Sequence, residues 1–423
     1  MGFLWSFIER CIFTFHLADP KEVTGMEIDV ERQQKAREYA RTRRRISYIS
    51  MGIGVLSILI VLGAGLDRWF RDLIQEATNW LPLLNWQPQA DWFPWQIIVY
   101  CVLITILYEL LTSPLSYYSG FVLPHRYGIS VMSLPAWLRE VGIGLGLNLL
   151  LEAFFISLVY ALLSFQPQLW WLWAALVILF FSVLMANLAP VLIFPLFYKF
   201  TPLPDGELVQ RLLKLAEQAN TRVKGVFSMR MSHKTTATNA ALMGLGNTRR
   251  IVLGDTMTDR YTIDEIEVVL AHELGHHVHR DIWKLIASQT VLMLVGLFLV
   301  NVVFHWVVDQ QHYYRSLTDP ATLPFFFTLL GVFSFIIMPL SNGYSRVIEY
   351  QADEYALTST HKIEAFKSAM RRLANQNLSE VEPAPIIEFL FHSHPSIKKR
   401  LQHADEFASR AGYTASASLS AES

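Results

Sequence analysis

The sequence predicts a mainly helical protein that crosses a membrane several times and carries polar segments with a small β element. Of its 423 residues, 52% are hydrophobic and only 17% are charged, whereas an ordinary soluble domain has about 25% charged residues. The apolar residues form long stretches, and the charged residues are gathered between and after them. This distribution indicates contact with lipid over much of the chain.

Charge and cysteine content exclude several classes of protein. The chain has 35 basic and 36 acidic residues and a net charge of -1, so we expect no nucleic-acid partner. Its two cysteines, Cys11 and Cys101, allow at most one disulfide. A disulfide-rich scaffold and a multi-cysteine zinc finger are thereby excluded.

Six stretches are long and apolar enough to cross a bilayer of about 30 Å, which requires roughly 20 helical residues. These predicted spans cover residues of about 46–66, 95–117, 141–165, 169–198, 282–308 and 322–344. Residues 1–18 are also apolar, but they are fewer and are interrupted by Glu9 and Arg10. They fit a seventh, partial span, an interfacial helix, or a terminus that packs on its own bundle.

The spans divide the chain into five predicted regions. In order, these are an N-terminal membrane region (1–198), a polar segment (199–281), a membrane hairpin (282–345), a second polar segment (346–410) and a disordered tail (411–423). Basic residues favour the cytoplasmic flank of a span. Because an arginine cluster at 41–45 precedes the first span, we predict that both polar segments are cytoplasmic. The membrane is then a bacterial inner membrane or that of the endoplasmic reticulum.

The first polar segment contains both helical and strand patterns. Residues 207–220 have helical periodicity, and the short apolar or β-branched runs 223–229 and 249–253 predict strands. Thr262 and Glu265 form a capping box, in which each side chain bonds the backbone of the other residue. We expect the helix that they open to continue through His276.

That helix carries the sequence HELGH, an HExxH motif formed by His272, Glu273 and His276. Positions i and i+4 lie on one helix face, so both imidazoles can bind one zinc ion at about 2.0–2.1 Å. Glu273 lies beside them, where it can take a proton from a zinc-bound water. The alternative is an ordinary polar helix face whose histidines are hydrogen-bonded to solvent or backbone.

A catalytic zinc site needs a third protein ligand and one position left for water. Glu349 and Asp353, just after the sixth span, are four residues apart and share a helix face. We predict that Glu349 binds the zinc, while Asp353 accepts a hydrogen bond from the far nitrogen of a ligating histidine. The two intervening spans form a hairpin, which returns the chain to the HExxH helix.

With these features in place, the sequence resembles the type I CAAX prenyl protease family of integral-membrane zinc metalloendopeptidases. Five strings carry the resemblance: NAALMG at 239–244, RIVLGDT at 250–256, HELGH at 272–276, EYQADEYA at 349–356, and SHP at 393–395 followed by Arg400 and Leu401. The resemblance implies a zincin-like metalloprotease domain and peptide hydrolysis within a helical chamber at the membrane surface. It also implies that C-terminal residues are removed from prenylated proteins or peptides.

The resemblance also implies roles for individual residues. One Zn2+ per chain is bound by His272, His276 and Glu349, Glu273 is the general base, and His394 helps to stabilise the tetrahedral oxyanion.

Substrate binding is implied at Asn239 and Ala240, beside an expected edge strand, Arg250–Leu253, that pairs with an extended peptide. Arg400 is a further candidate for this group. Without the resemblance, Asn239 is a turn residue and His394 a loop or cap residue. Arg400 then either pairs with an acidic site residue or faces water.

Two other functions are compatible with parts of the sequence. A broader membrane-protein quality-control protease would use the same zinc chemistry and differ only in its substrates. A zinc-binding transporter or an inactive scaffold would place metal sites within the spans or lack the base. The presence of Glu273 disfavours that second alternative.

Overall fold

The computed structural model describes residues 28–80, 95–244 and 246–412. The membrane region contains five helices: α1 Val30–Gly63, α2 Leu66–Trp80, α3 Trp95–Arg126, α4 Leu134–Phe165 and α5 Trp170–Phe197. After the first polar segment come α9 Asp281–Gln310 and α10 Leu323–Thr360. Except for α2, all of these helices are long and apolar enough to cross a membrane, which confirms the six predicted spans. The possible seventh span at 1–18 lies outside the described residues.

The polar segments supply the remaining helices and a four-stranded sheet. The first segment contains α6 Glu207–Gln218, α7 Asp255–Thr258 and α8 Ile263–Val278, and the last contains α11 Ile363–Gln376, α12 Pro385–Phe391 and α13 Ile397–Arg410. The strands are β1 Phe200–Pro202, β2 Val226–Met229, β3 Ala240–Met243 and β4 Arg250–Gly254. The predicted capping box is confirmed, since Oγ1 of Thr262 accepts from N of Glu265 and Oε2 of Glu265 accepts from N of Thr262.

The first membrane helix begins earlier than its apolar stretch. The residues of α1 before the predicted start at 46 are rich in Arg, Gln, Glu and Ala, which are good helix formers. The side chain of Gln33 exchanges hydrogen bonds with the backbone of Ser379 and Val381, and Arg44 pairs with Glu380 at 2.7 Å. The basic end of α1 therefore packs on the last polar segment, so the two lie on the same side of the molecule.

Apolar side chains cover the outside of the bundle, while larger aromatic residues fill its interior. Leu59, Phe180 and Ile336 are between 63% and 67% exposed on spanning helices. Exposure of this kind is favourable where the surrounding medium is lipid. Inside the bundle, Trp170 is fully buried, and its Nε1 donates to Oδ1 of Asn301 at 2.7 Å. This hydrogen bond joins α5 to α9 inside the bundle.

The sheet has the order β1-β2-β4-β3, with β2 and β4 parallel and the outer pairs antiparallel. The predictions of strands near 223–229 and 249–253 are confirmed by β2 and β4. The prediction that Arg250–Leu253 forms an edge strand is wrong, because β4 lies between β2 and β3. Ile251, Val252 and Leu253 are all at most 1% exposed, and such a continuous buried run is typical of a central strand. The edge on this side is β3.

One helix carries both the sixth span and the residues after it. The predicted boundary between 345 and 346 falls inside α10, which continues from Leu323 to Thr360 without a break. Glu349 and Asp353 therefore lie on the same continuous helix as the span. Their position relative to the membrane is fixed by helical geometry and not by a loop.

The helix α8 packs very closely against α10. A Cβ atom at Gly275 of α8 would lie 3.1 Å from Cα of Ala352 and 3.1 Å from Cβ of Tyr355. Because glycine has no Cβ, the two backbones can approach this closely. Any larger residue would require one of the helices to shift.

We expect Gly275→Ala to lower the free energy of unfolding by about 1–3 kcal/mol, because overpacking at a helix contact forces backbone shifts. The matched control is Gly331→Ala on α10, where an added Cβ meets nothing within 4 Å. That control should be neutral or slightly stabilising, by up to about 1 kcal/mol, since alanine favours a helix over glycine. The two Tm values measure the difference, and equal Tm values would contradict the packing argument.

Candidate metal centre

Three potential metal ligands meet where α8 packs on α10. The ligand atoms of His272, His276 and Glu349 all lie within 4.8 Å of one another. Nε2 of His272 is 3.4 Å from Oε2 of Glu349, and Nε2 of His276 is 3.5 Å from Oε1 of the same carboxylate. His272 and Glu349 are buried, and His276 is half-buried. The structure thus brings together the three residues that the sequence predicted as ligands.

A buried ion pair lies behind His272. Its Nδ1 is 2.9 Å from Oδ1 of Asp353, and Nδ1 must donate because a carboxylate only accepts. Nε of Arg400, on α13, donates to the other oxygen of Asp353 at 2.8 Å. Asp353 and Arg400 are 0% and 4% exposed. The carboxylate therefore fixes the ring of His272 so that Nε2 faces Glu349.

His276 has an equivalent support that the sequence analysis missed. Its Nδ1 donates to Oδ2 of Asp281 at 3.0 Å, and Nζ of Lys284 donates to the other oxygen of that carboxylate at 2.9 Å. Asp281 is 2% exposed and begins α9. Arg280, whose φ is 57°, lies in the turn between α8 and α9. An acid five residues after the second histidine is a sequence signal for this supporting role. The role can be assigned only when the geometry of the turn between the two helices is known.

These carboxylates control the proton affinity of both imidazoles. Burial alone would lower the pKa of His276, but its hydrogen bonds to Asp281 and Glu349 outweigh burial and raise the pKa to about 10. The pKa of His272 is also raised, because Asp353 and Glu349 outweigh the effect of burial. Carboxylates behind the rings make Nε2 more basic and hence a stronger metal ligand.

The donor set fits a zinc ion better than it fits a closed hydrogen-bond network. Oε2 of Glu349 is buried and accepts no well-formed hydrogen bond within the described residues, although Nδ1 of His394 lies 2.9 Å away. A buried unpaired carboxylate oxygen is expensive unless a cation satisfies it. Two imidazole nitrogens and one carboxylate form a ligand set found in catalytic zinc sites, with a fourth position left open.

The other predicted site residues lie on, or next to, elements that contact α8 or α10. Glu273 is half-buried beside His272 on α8. His394 lies in the loop between α12 and α13, against Glu349. Asn239 directly precedes β3, and its carbonyl accepts from N of Gly254 at 2.8 Å. Ala240 is the first residue of β3, which packs next to α8.

The position of Arg400 does not fit the predicted contact with substrate. Its side chain is buried, and its guanidinium is engaged with Asp353. Of the two alternatives that the residues themselves left open, the structure shows the ion pair and not the solvent-facing side chain. Arg400 therefore holds Asp353, which in turn holds His272.

Two family models together match nearly the whole length of this chain. Residues 202–408 match the model described as peptidase family M48, and residues 16–199 match the CAAX prenyl protease N-terminal model, described as five membrane helices. The chain belongs to the M48 CAAX prenyl protease family. It is an integral, multi-pass membrane metalloprotease.

Relatives of this family share most of the chain. The CAAX prenyl protease 1 homolog of Arabidopsis thaliana is 29% identical over 91% of this chain and 90% of its own length. The uncharacterized metalloprotease YhfN of Bacillus subtilis is 28% identical over 92% of this chain and 90% of its own. A crystal structure of S. mikatae Ste24p superposes with a TM-score of 0.76 at 26% identity and covers 92% of both chains.

We predict that Asp281→Asn weakens metal binding by about 10- to 100-fold, because a neutral amide replaces the charged carboxylate that orients the ring of His276 and pairs with Lys284. The matched control is Asp309→Asn, at the other end of α9, where the carboxylate accepts from Nδ1 of His305 at 2.7 Å. Competition with a chromophoric chelator measures the affinity of each variant. Wild-type affinity in Asp281→Asn would show that this carboxylate does not support the site.

Proposed function

We propose that this M48 metalloprotease binds one zinc ion per chain and hydrolyses peptide bonds at the cytoplasmic membrane surface. Its proposed substrates are prenylated proteins or peptides, from which it removes C-terminal residues. The convergence of His272, His276 and Glu349 where α8 meets a membrane-spanning helix is the observation on which this proposal depends. This site combines the ligand set of a hydrolytic metal centre with a position next to lipid.

Zinc is the proposed metal because of the ligand set and its surroundings. A bound zinc would polarise the scissile carbonyl and lower the pKa of water towards about 7. The protein supplies three ligands and orients both histidines through Asp353 and Asp281.

The proposed reaction uses two further side chains. Glu273, on the same helix as both histidines, takes the proton of the attacking water and then passes it to the leaving amine. His394, 33% exposed beside Glu349, would donate to the oxyanion that forms on the substrate.

The strand β3 is the proposed site for the substrate backbone. It is an outer strand of the described sheet, is antiparallel to β4, and packs next to α8. An extended peptide that adds to this edge would form main-chain hydrogen bonds with it. Asn239, directly before β3, and Ala240, its first residue, would then contact the backbone of the bound peptide.

Two observations support the prenylated substrate and the cytoplasmic orientation. Relatives from plants and fungi are named CAAX prenyl protease 1 or its homolog, and the apolar spans adjoin the metal-binding helices. The arginine-rich end of α1 packs on the same domain as Glu349, and basic flanks favour the cytoplasm. The proposed membrane is either a bacterial inner membrane or that of the endoplasmic reticulum.

Glu273→Gln should retain the metal and lose roughly 10²- to 10⁴-fold in the rate of peptide cleavage, because only the general base is removed. The control is Glu267→Gln, on the same helix, where the carboxylate pairs with Arg211 and Lys362 away from the metal. Metal content and kcat are measured on the same samples. A fully active Glu273→Gln would disprove the assigned mechanism.

A farnesylated C-terminal peptide should be cleaved with a KM at least about 10-fold below that of its unmodified twin, because the lipid adds apolar surface that binds near the membrane. Both peptides are assayed with the same detergent-solubilised enzyme. Equal KM values, together with cleavage of a misfolded membrane protein, would favour the broader quality-control protease instead.

A further inference from the structure

A cleft with no role in the proposed hydrolysis lies where α8 ends and the spanning helix α9 begins. Its volume is about 790 Å³, within the range of about 300–1,000 Å³ that is usual for ligand sites. One wall is formed by residues of the polar domain, Asn220 and Arg249, and the other by the α8–α9 junction, including Arg280 and Trp283. The cleft is thus bounded by the polar domain and by the first turn of a membrane helix.

The polar part of this cleft carries positive charge without a matching acid. Nε of Arg249 is buried and has no hydrogen-bond partner within the described residues, and burial lowers the pKa of this guanidinium. Arg280 is exposed beside it. The acid next to Arg280 in the sequence, Asp281, is already engaged by His276 and Lys284. Two guanidinium groups therefore face one cleft, and their preferred partner is a phosphate or carboxylate.

The other part of the cleft is apolar and lies at the first turn of the spanning helix α9. Trp283 and Val278 are 49% and 41% exposed, and Ile282 is half-buried between them. Tryptophan is enriched at the boundary between lipid head groups and hydrocarbon. An anionic group bound by the two arginines would therefore have acyl chains or similar apolar groups beside it.

We propose that this cleft binds the phosphate head group of an anionic membrane phospholipid, with Arg249 and Arg280 on the phosphate and Trp283 beside the acyl chains. Anionic lipids are abundant in cytoplasmic leaflets, where basic residues near a membrane helix attract them. A soluble anionic ligand would use the arginines but would gain nothing from the exposed apolar residues.

A lipid bound here would affect the turn that supports the metal centre. Arg280 directly precedes Asp281, which accepts from Nδ1 of His276. The carbonyl of Arg280 also accepts the first backbone hydrogen bonds of α9, from Trp283 and Lys284. The proposed lipid would thus hold the junction between the membrane helix and the HExxH helix.

The test measures lipid binding to the full-length protein in a neutral detergent by native mass spectrometry. The probe is dioleoylphosphatidylglycerol, and dioleoylphosphatidylcholine is the uncharged comparison. Arg249→Gln/Arg280→Gln should bind the anionic lipid roughly 30-fold more weakly than wild type, because each arginine near an anionic lipid surface contributes about a five-fold gain. Arg249→Lys/Arg280→Lys retains the charge and should retain most of the binding.

The matched control is Arg230→Gln/Arg260→Gln, which removes the same charge from other parts of the polar domain and should bind like wild type. Inorganic phosphate is tested as a competitor at millimolar concentration and should not displace the lipid. Equal lipid binding by wild type and the Arg249→Gln/Arg280→Gln variant would overturn the proposal. An equal loss of lipid binding in the Arg249→Lys/Arg280→Lys variant would also overturn it. Displacement of the lipid by phosphate would overturn it too, because it would indicate a site for the free anion.

Discussion

The close contact between α8 and α10 at Gly275 is the constraint on which the metal centre depends. Gly275 lies between the two histidines, and Ala352 lies between Glu349 and Asp353. The same contact that packs the helices therefore sets the separation of the ligands. Because α10 is also the sixth span, the membrane bundle and the polar domain share one rigid element. A small residue in the HELGH motif thus has a packing role that the metal chemistry alone does not explain.

Around this contact, each histidine is held by a buried carboxylate, and each carboxylate is held by a cation. Asp353 is paired with Arg400 and Asp281 with Lys284. Both members of the Asp353–Arg400 pair are buried, and removing one partner of such a pair costs about 3–5 kcal/mol, since it leaves an uncompensated charge. The arrangement joins four helices, α8, α9, α10 and α13, to one centre. The geometry of the imidazoles is therefore tied to the tertiary fold and not only to the local helix.

Features that depend on local spacing could be predicted from the sequence. The two histidines and Glu273 follow from helical periodicity, and Glu349 from a second helical pair that the hairpin returns to the first. Asp281 and Arg400 could not be assigned in this way, because their partners are fixed by a turn and by the docking of a distant helix. The central place of β4 was missed for the same reason: the pairing of β3, a short strand of small and apolar residues, is decided by tertiary contacts.

We propose above that one zinc ion, held by His272, His276 and Glu349, is required for peptide hydrolysis. The most direct test measures metal content and cleavage together on the purified protein. We expect one zinc per chain, loss of cleavage on removal of zinc by a chelator, and recovery of cleavage when zinc is restored. Peptide cleavage that persists when no zinc is bound would contradict this requirement for zinc.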